Sequence, residues 1–323
     1  MKRGTGKTMR RLTKGIAAAG LALVTTSACT GSMTPRAQAS SPSTAFGSTA
    51  TPAPQSSSDG NCNLNASSKA PSASDAAGAD VTAIKKRGYV IVGVAADQYL
   101  TGYLGSNGVE QGFDIDLAHA IAKALFGDPS KVKFVVLSTD KRIPDLVAHK
   151  VDLVIDTMTI TCGRLKQIGF SAVYYNASQK VLVENNSGYK SLGDLGGKNV
   201  CAQTGSTSIA QIQQNAAKPY AIQVTDISDC LVLLEENQVS AISTDDTILA
   251  GLARQDPNLE VLPKALEEEP YGIGVPPGET DLEGYVNGVL AQYEADGGWA
   301  ASYARWFASS LGAAEPPRAQ YSD

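Results

Sequence analysis

"RIPDLVAHKVDLVIDTMTIT" (142–161) contains the step on which the fold is built. Residues 142–150 carry apolar side chains at helical spacing, and "VDLVIDT" (151–157) is a β-rich run that closes on hydroxyl-bearing residues. A short helix running straight into a strand is the unit of an α/β layout. The polar cluster at the carboxyl end of that strand is where such sheets collect ligands.

The same alternation extends in both directions. "GYVIVGVAA" (88–96) and "VKFVVLS" (132–138) read as strands, and "GFDIDLAHAIAKALFG" (112–127) between them reads as a helix ending at Gly127. Downstream, "KNVCAQTG" (198–205) is a strand entering a polar turn, and "STSIAQIQQNA" begins a helix with hydroxyl caps. "IQVTDI", "SDCLVLLEENQ" and "VSAISTDD" then supply strand, helix and strand. Two α/β halves with mainly parallel sheets follow from this order. Extended segments "SQKVLVEN" (178–185) and "EEPYGIGV" (268–275) flank the second half, and 282–307 reads as one strongly amphipathic helix. If that helix packs on the first half, the chain crosses twice between lobes. Two parallel connecting strands would then form a hinge above a cleft. A single continuous domain is the alternative.

The chain has 323 residues, 43% hydrophobic and 18% charged, with a net charge of −5. Mild acidity argues against a nucleic-acid partner. Lys2, Arg3, Lys7, Arg10, Arg11 and Lys14 precede an apolar stretch at 16–24 and then Thr26-Ser27-Ala28-Cys29. Small residues before a cysteine resemble a lipoprotein signal in which Cys29 is acylated; an ordinary secretory signal is the alternative. Lipid on Cys29 would hold the protein to the extracytoplasmic face of the cell membrane without a spanning helix. The Ser-, Thr-, Ala- and Pro-rich stretch that follows is too poor in apolar side chains to offset its ordering entropy and reads as a flexible tether.

Removing Cys29 leaves Cys62, Cys162, Cys201 and Cys230, an even number in an oxidising compartment, with three possible pairings. No CxxC or Cys/His spacing exists, so neither a metal nor another cofactor is expected. His119 and His149 stand far apart and read as helix-surface residues rather than catalysts.

"GFDIDLAHAIA", "RIPDLVAHKVDLVIDTMTIT", "GRLKQIGFSAVYY", "SLGDLGGKNVCAQTGSTS" and "STDDTILAGL", in that order, resemble the extracellular solute-binding proteins for polar amino acids, family 3. Within that family the pattern looks closest to the actinobacterial glutamate-binding group, mycobacterial lipoproteins included. The resemblance implies a two-lobe, type II periplasmic-binding-protein-like fold. It divides the chain into a signal peptide (1–28), a tether (29–79), lobe 1 (80–181 and 272–310), lobe 2 (182–271) and a tail (311–323). The expected molecule is a monomer that closes on an amino acid and presents it to a membrane permease of the ABC type or to a membrane signalling protein. An enzyme on the same fold, of the cyclohexadienyl dehydratase kind, is the competing function; the chain offers no convergent carboxylate pair or histidine for it, and it reads as a non-enzyme.

A free amino acid is a zwitterion, so its site needs an anion cradle and a cation cradle a few ångströms apart. By resemblance Arg164 and Thr159 take the α-carboxylate, where the planar fork of Arg164 suits a two-pronged bond. The helix opening at "GRLKQIGF" would add its amides, and Thr157 would line the same wall. Asp245 accepts from the α-ammonium, and Asp246 faces the other way because strand side chains alternate. Ser206 and Thr207 reach in from lobe 2, with Gln203 and Thr204 as weaker candidates. Arg142, beside Thr139, meets the side-chain carboxylate, so glutamate or aspartate is favoured and asparagine or glutamine remains open. Each of these residues has a plainer reading: a solvated arginine, a helix-capping hydroxyl, a loop acid.

Cys201 and Cys230 fall in the same half and are expected to pair, closing a loop worth roughly 3.5 kcal/mol in the chain-entropy model. Cys62 then meets Cys162, a longer loop worth roughly 4.7 kcal/mol. That bridge would fix the frame of Thr157, Thr159 and Arg164.

Overall fold

The computed structural model describes residues 62–322. The stretch read as a signal peptide, Cys29, and the part of the expected tether up to residue 61 lie outside the described residues.

Lobe 1 is built on strands β1 (Val90–Val94), β2 (Val132–Val136), β3 (Leu153–Val154), β4 (Gly169–Phe170) and a late strand, Gly274–Val275. Their order in the sheet is β2, β1, β3, Gly274–Val275, β4, with β1 parallel to both its neighbours. Gly274–Val275 joins antiparallel to β3 and β4. Val90, Val92 and Val94 are buried completely, as expected of a central strand covered on both faces. Helices α1 (Ala79–Arg87) and α2 (Phe113–Phe126) pack beside this sheet, and α3 (Arg142–Val147) leads into β3.

Lobe 2 contains β5 (Tyr175–Glu184), β6 (Asn199–Gln203), β7 (Tyr220–Val224), β8 (Ala241–Asp245), β9 (Leu259–Val261) and β10 (Glu267–Tyr271), ordered β7, β6, β8, β5, β9 with β10 also on β5. Strands β6, β7 and β8 are parallel, as the strand–helix–strand reading predicts. Helix α4 (Cys162–Leu165) precedes β4, while α5 (Thr207–Gln214), α6 (Ile227–Glu235) and α7 (Asp246–Gln255) connect the lobe 2 strands.

The ten-residue β5 carries the chain out of lobe 1 and into lobe 2, and β10 brings it back. They pair in opposite directions, from Tyr175 opposite Tyr271 to Gln179 opposite Glu267. The expected parallel pair is corrected here: one strand leaves and the other returns, so their directions must oppose. The cleft lies where β3, β8 and this crossing meet.

The segment 282–307 forms two helices, α8 (Thr280–Ala295) and α9 (Gly298–Trp306), rather than one. Gly297 sits between them at φ 81°, a left-handed conformation that ends a helix at no steric cost in glycine. Their apolar faces share a core with α2, where Trp299 stacks on Tyr303 at 5.1 Å.

Ordered structure begins before residue 80. Ala66–Ser67 pairs with Gln320–Tyr321, so a piece of the segment read as tether lies in register with a piece of the tail. Asn287 Nδ2 donates to Ser67 Oγ at 2.8 Å and to Lys69 O at 2.7 Å, tying this strand to α8. Both expected disulfides form, Cys62–Cys162 and Cys201–Cys230.

Candidate ligand-binding cleft

A polar cavity with about 270 Å³ of atom-free space lies between the lobes. Thr139, Arg142, Thr157, Thr159 and Arg164 wall it from lobe 1; Ser206, Thr207 and Asp245 wall it from lobe 2. The structure therefore gathers on one cavity the eight residues favoured in the sequence for ligand contact and, of the two weaker candidates, Gln203 but not Thr204. A larger groove, with about 1590 Å³ of atom-free space, runs between α2, α8 and α9 on lobe 1. Its walls are mostly apolar and converge no buried arginine on an unpartnered carboxylate, so chemistry favours the smaller cavity.

Arg142 is the first residue of α3, and Thr139 belongs to the 3₁₀ turn just before it. Arg142 is buried rather than solvated, at 3% exposure. Its Nε donates to Thr139 O at 3.1 Å and Nη1 to Asp156 O at 2.7 Å, which aims the guanidinium at the carboxyl end of β3. Arg164 is buried as well; its Nη1 donates to Thr159 O at 2.7 Å and its Nη2 to Gly205 O across the cleft at 3.2 Å. Burial and then the nearby Arg142 lower the Arg164 pKa to about 9, which still leaves it charged at neutral pH. Helix α4 is a single turn of four residues, shorter than the expected helix opening at Gly163. Its cap is internal: Thr161 Oγ1 accepts from Arg164 N at 3.1 Å. The Cys62–Cys162 bridge pins this turn.

Thr157 has φ 43°, a strained conformation for a β-branched residue. Asp114 holds it there, accepting from Thr157 N at 2.8 Å and from Tyr174 Oη at 3.0 Å. Thr157 Oγ1 donates to Gln98 Oε1 at 3.0 Å. Burial pushes the Asp114 and Asp156 carboxyls up to about 7.

From lobe 2, Ser206 occupies the N-cap position of α5 without making a side-chain cap bond, and its Oγ is buried with no partner. Thr207 Oγ1 donates to Glu269 Oε2 at 3.0 Å. Asp245 stands at the end of β8 and likewise makes no cap bond to α7. Its Oδ2 accepts from Tyr271 Oη at 2.7 Å, while Oδ1 is buried with no partner. Burial raises the Asp245 carboxyl well above the usual range. Asp246 turns away to Lys180, 3.6 Å off. Gln203 lines the cavity and donates to Thr225 O at 3.3 Å; Thr204 is not on the wall. Neither histidine borders it.

Glu269 and Tyr271, on β10, escape the sequence reading. "EEEPY" (267–271) looks like a solvated acidic run. Period-two alternation puts residues 267, 269 and 271 on one face, and Glu269 is fully buried.

The sequence matches the family described as bacterial extracellular solute-binding proteins, family 3, over residues 90–309. It is 36% identical over 228 residues to the ABC transporter glutamine-binding protein GlnH of Bacillus subtilis, covering 70% of this chain and 84% of that one. It is 40% identical to a glutamine-binding protein of Geobacillus stearothermophilus, over 59% and 74% of the two chains. Among solved structures, an ancestral arginine-binding protein bound to glutamine superposes with a TM-score of 0.65 at 38% identity, over 68% of this chain and 98% of that one. The expected affiliation with an actinobacterial glutamate-binding group, and with its mycobacterial lipoproteins, is corrected by these matches. The Corynebacterium efficiens glutamate-binding protein GluB is only 27% identical, below both Bacillus-type relatives. These relatives are binding proteins, and this chain is a binding protein rather than an enzyme. The two lobes, the hinge and the sequence match together establish that the chain belongs to the bacterial extracellular solute-binding proteins, family 3.

Proposed function

We propose that the chain captures a free amino acid outside the cytoplasm and hands it to a membrane partner of the ABC-transporter type. The observation that carries this reading is the convergence of Arg142, Arg164 and Asp245 on one buried cavity. Arg164 suits the α-carboxylate, Asp245 the α-ammonium and Arg142 a side-chain acceptor, with Thr139, Thr157, Thr159, Ser206 and Thr207 as hydroxyl contacts. Two or three charge-assisted bonds at about 1.5–3 kcal/mol each, less the cost of lobe closure, correspond to an affinity near micromolar.

An acidic ligand, glutamate or aspartate, fits the charge balance best. Two guanidiniums face one desolvated space, and Arg142 disfavours the charge on Arg164. The carboxyls that face them, Asp156, Asp245 and Glu269, are each pushed toward the protonated form by burial and so offset them only in part. An anionic side chain relieves that repulsion, whereas a cationic one such as arginine adds to it. Glutamine is the second reading, favoured by the names of the Bacillus and Geobacillus relatives. Acylation of Cys29 would keep the lobes at the membrane surface.

Calorimetry of the full chain with a panel of amino acids tests the reading. Glutamate or aspartate should bind near micromolar, and Arg164→Ala should remove the heat. Absence of binding across the panel overturns the proposal. A preference for glutamine moves the ligand without moving the class. For the anchor, Cys29→Ala should shift the protein from the membrane fraction to the medium; retention at the membrane would refute it.

A further inference from the structure

Glu269 lies on β10, the returning hinge strand, outside every set of residues singled out from the sequence. It is 0% exposed, and Oε1 has no hydrogen-bond partner. Oε2 accepts from Thr207 on lobe 2, and Thr159 on lobe 1 lies beside it. Both threonines are on the cavity wall. Asp245 Oδ1, a second fully buried oxygen without a partner, is close enough for its charge to bear on Glu269.

A buried carboxylate oxygen left unpaired costs about 1–3 kcal/mol or more unless something completes it. Among the described residues no ion pair completes either acid: Arg164 feels both charges, but no guanidinium nitrogen stands within ion-pair distance of them. Each oxygen therefore lacks a donor, and an alkylammonium carries three. Resting on the amino-acid reading above, we propose that Glu269 is a specificity-determining residue that, together with Asp245, forms a two-carboxylate receptor for the ligand's ammonium group and couples its arrival to proton release and lobe closure. Closure enters because the same carboxylate stands between Thr207 of lobe 2 and Thr159 of lobe 1.

The groups around Glu269 set the sign of the proton coupling. Burial raises its carboxyl well above the usual range, Asp245 raises it further, and Thr159, Arg164 and Thr207 pull it down. Asp245 in turn faces Tyr271, Asp246, Arg142 and Arg164, with Asp246 engaged by Lys180. With the cleft empty, burial and mutual repulsion push the pair toward the protonated form. An entering ammonium favours the ionised form and lowers the pKa of the pair, so the proton leaves. Affinity is then greatest above the pKa of the empty pair and declines as pH falls through it.

Calorimetry of the full chain with L-glutamate and L-glutamine, from about pH 5.5 to about pH 8 and in two buffers of different ionisation enthalpy, tests this. Wild type should release protons on binding and bind tighter as pH rises. Glu269→Gln keeps an acceptor for Thr207, so it should fold normally. It should bind at least about tenfold more weakly at the high-pH end and lose most of the pH slope. Glu269→Asp, which restores the charge, should recover the slope. Glu269→Gln with wild-type affinity and wild-type pH slope overturns the inference while leaving the amino-acid reading intact. Wild-type binding without proton release also overturns it. A wild-type protein that binds no amino acid removes both.

Discussion

Arg164 on lobe 1 donates through Nη2 to the carbonyl of Gly205 on lobe 2, 3.2 Å away, while its Nη1 holds Thr159 O. One guanidinium thus organises the wall of its own lobe and touches the opposite lobe. Closure of the cleft and completion of the anion cradle are the same event in this geometry.

Glycine is required where the lobes meet. A Cβ on Gly205 would stand 2.9 Å from Asp140 Cα, and one on Gly251 of α7 would stand 2.0 Å from Tyr99 O. Gly251→Ala should hold the lobes apart and weaken ligand affinity by at least about tenfold. Its melting temperature without ligand should change little. Small-angle scattering with saturating ligand checks the shape; an unchanged closed profile with unchanged affinity would count against the claim.

Arg142 offers a separate test of ligand class. Arg142→Met removes the second guanidinium while filling similar volume. Losing a charge-assisted contact of about 1.5–3 kcal/mol should cost roughly 10- to 150-fold in glutamate affinity. Glutamine, which presents a neutral carbonyl, should lose less. Competition binding with both ligands on both proteins measures the difference, and equal losses would remove Arg142 as the discriminator.

The two disulfides should behave differently. Replacing Cys201 and Cys230 by serine should lower stability by up to about 3.5 kcal/mol and leave affinity nearly intact, because that bridge lies within lobe 2. Replacing Cys62 and Cys162 should cost up to about 4.7 kcal/mol and also weaken ligand binding, because Cys162 shares a one-turn helix with Arg164. Denaturant titration paired with calorimetry separates the effects.

Asp114 supports the strained Thr157 backbone. Asp114→Ala leaves two buried donors, Thr157 N and Tyr174 Oη, without their acceptor and should cost about 2–4 kcal/mol. The same carboxyl, raised by burial to about 7, gives a pH signature. A carboxyl whose folded pKa exceeds its unfolded one stabilises most below the unfolded value, and that contribution is lost as pH rises through the folded value. With Asp156 shifted the same way, the unliganded protein should melt several degrees lower at about pH 8 than at about pH 5. Thermal scans across that range check the sign, which is opposite to the one expected for ligand affinity.

Much of this was legible from local pattern. The β1, α2 and β3 runs announce themselves because burial on a strand and on a helix imposes different periods. Arg142, Arg164 and Asp245 could be found because the motif order places them at the carboxyl ends of strands and starts of helices. The direction of the hinge strands was not legible, since pairing between residues 175 and 271 depends on a return path that no local period records. The break at Gly297 was missed because apolar spacing continues through it while the backbone does not.

The sequence by itself determined the family, the alternation of strands and helices and the chemical types that line the cleft. Only the tertiary structure decided which charges are desolvated together. Glu269 reads as one acid among three in "EEEPY", and becomes a buried, half-paired carboxylate beside Asp245 because β10 crosses the cleft floor. Burial and electrostatic partnership depend on distances between segments that lie far apart along the chain, and those distances exist only once both lobes have folded around the hinge.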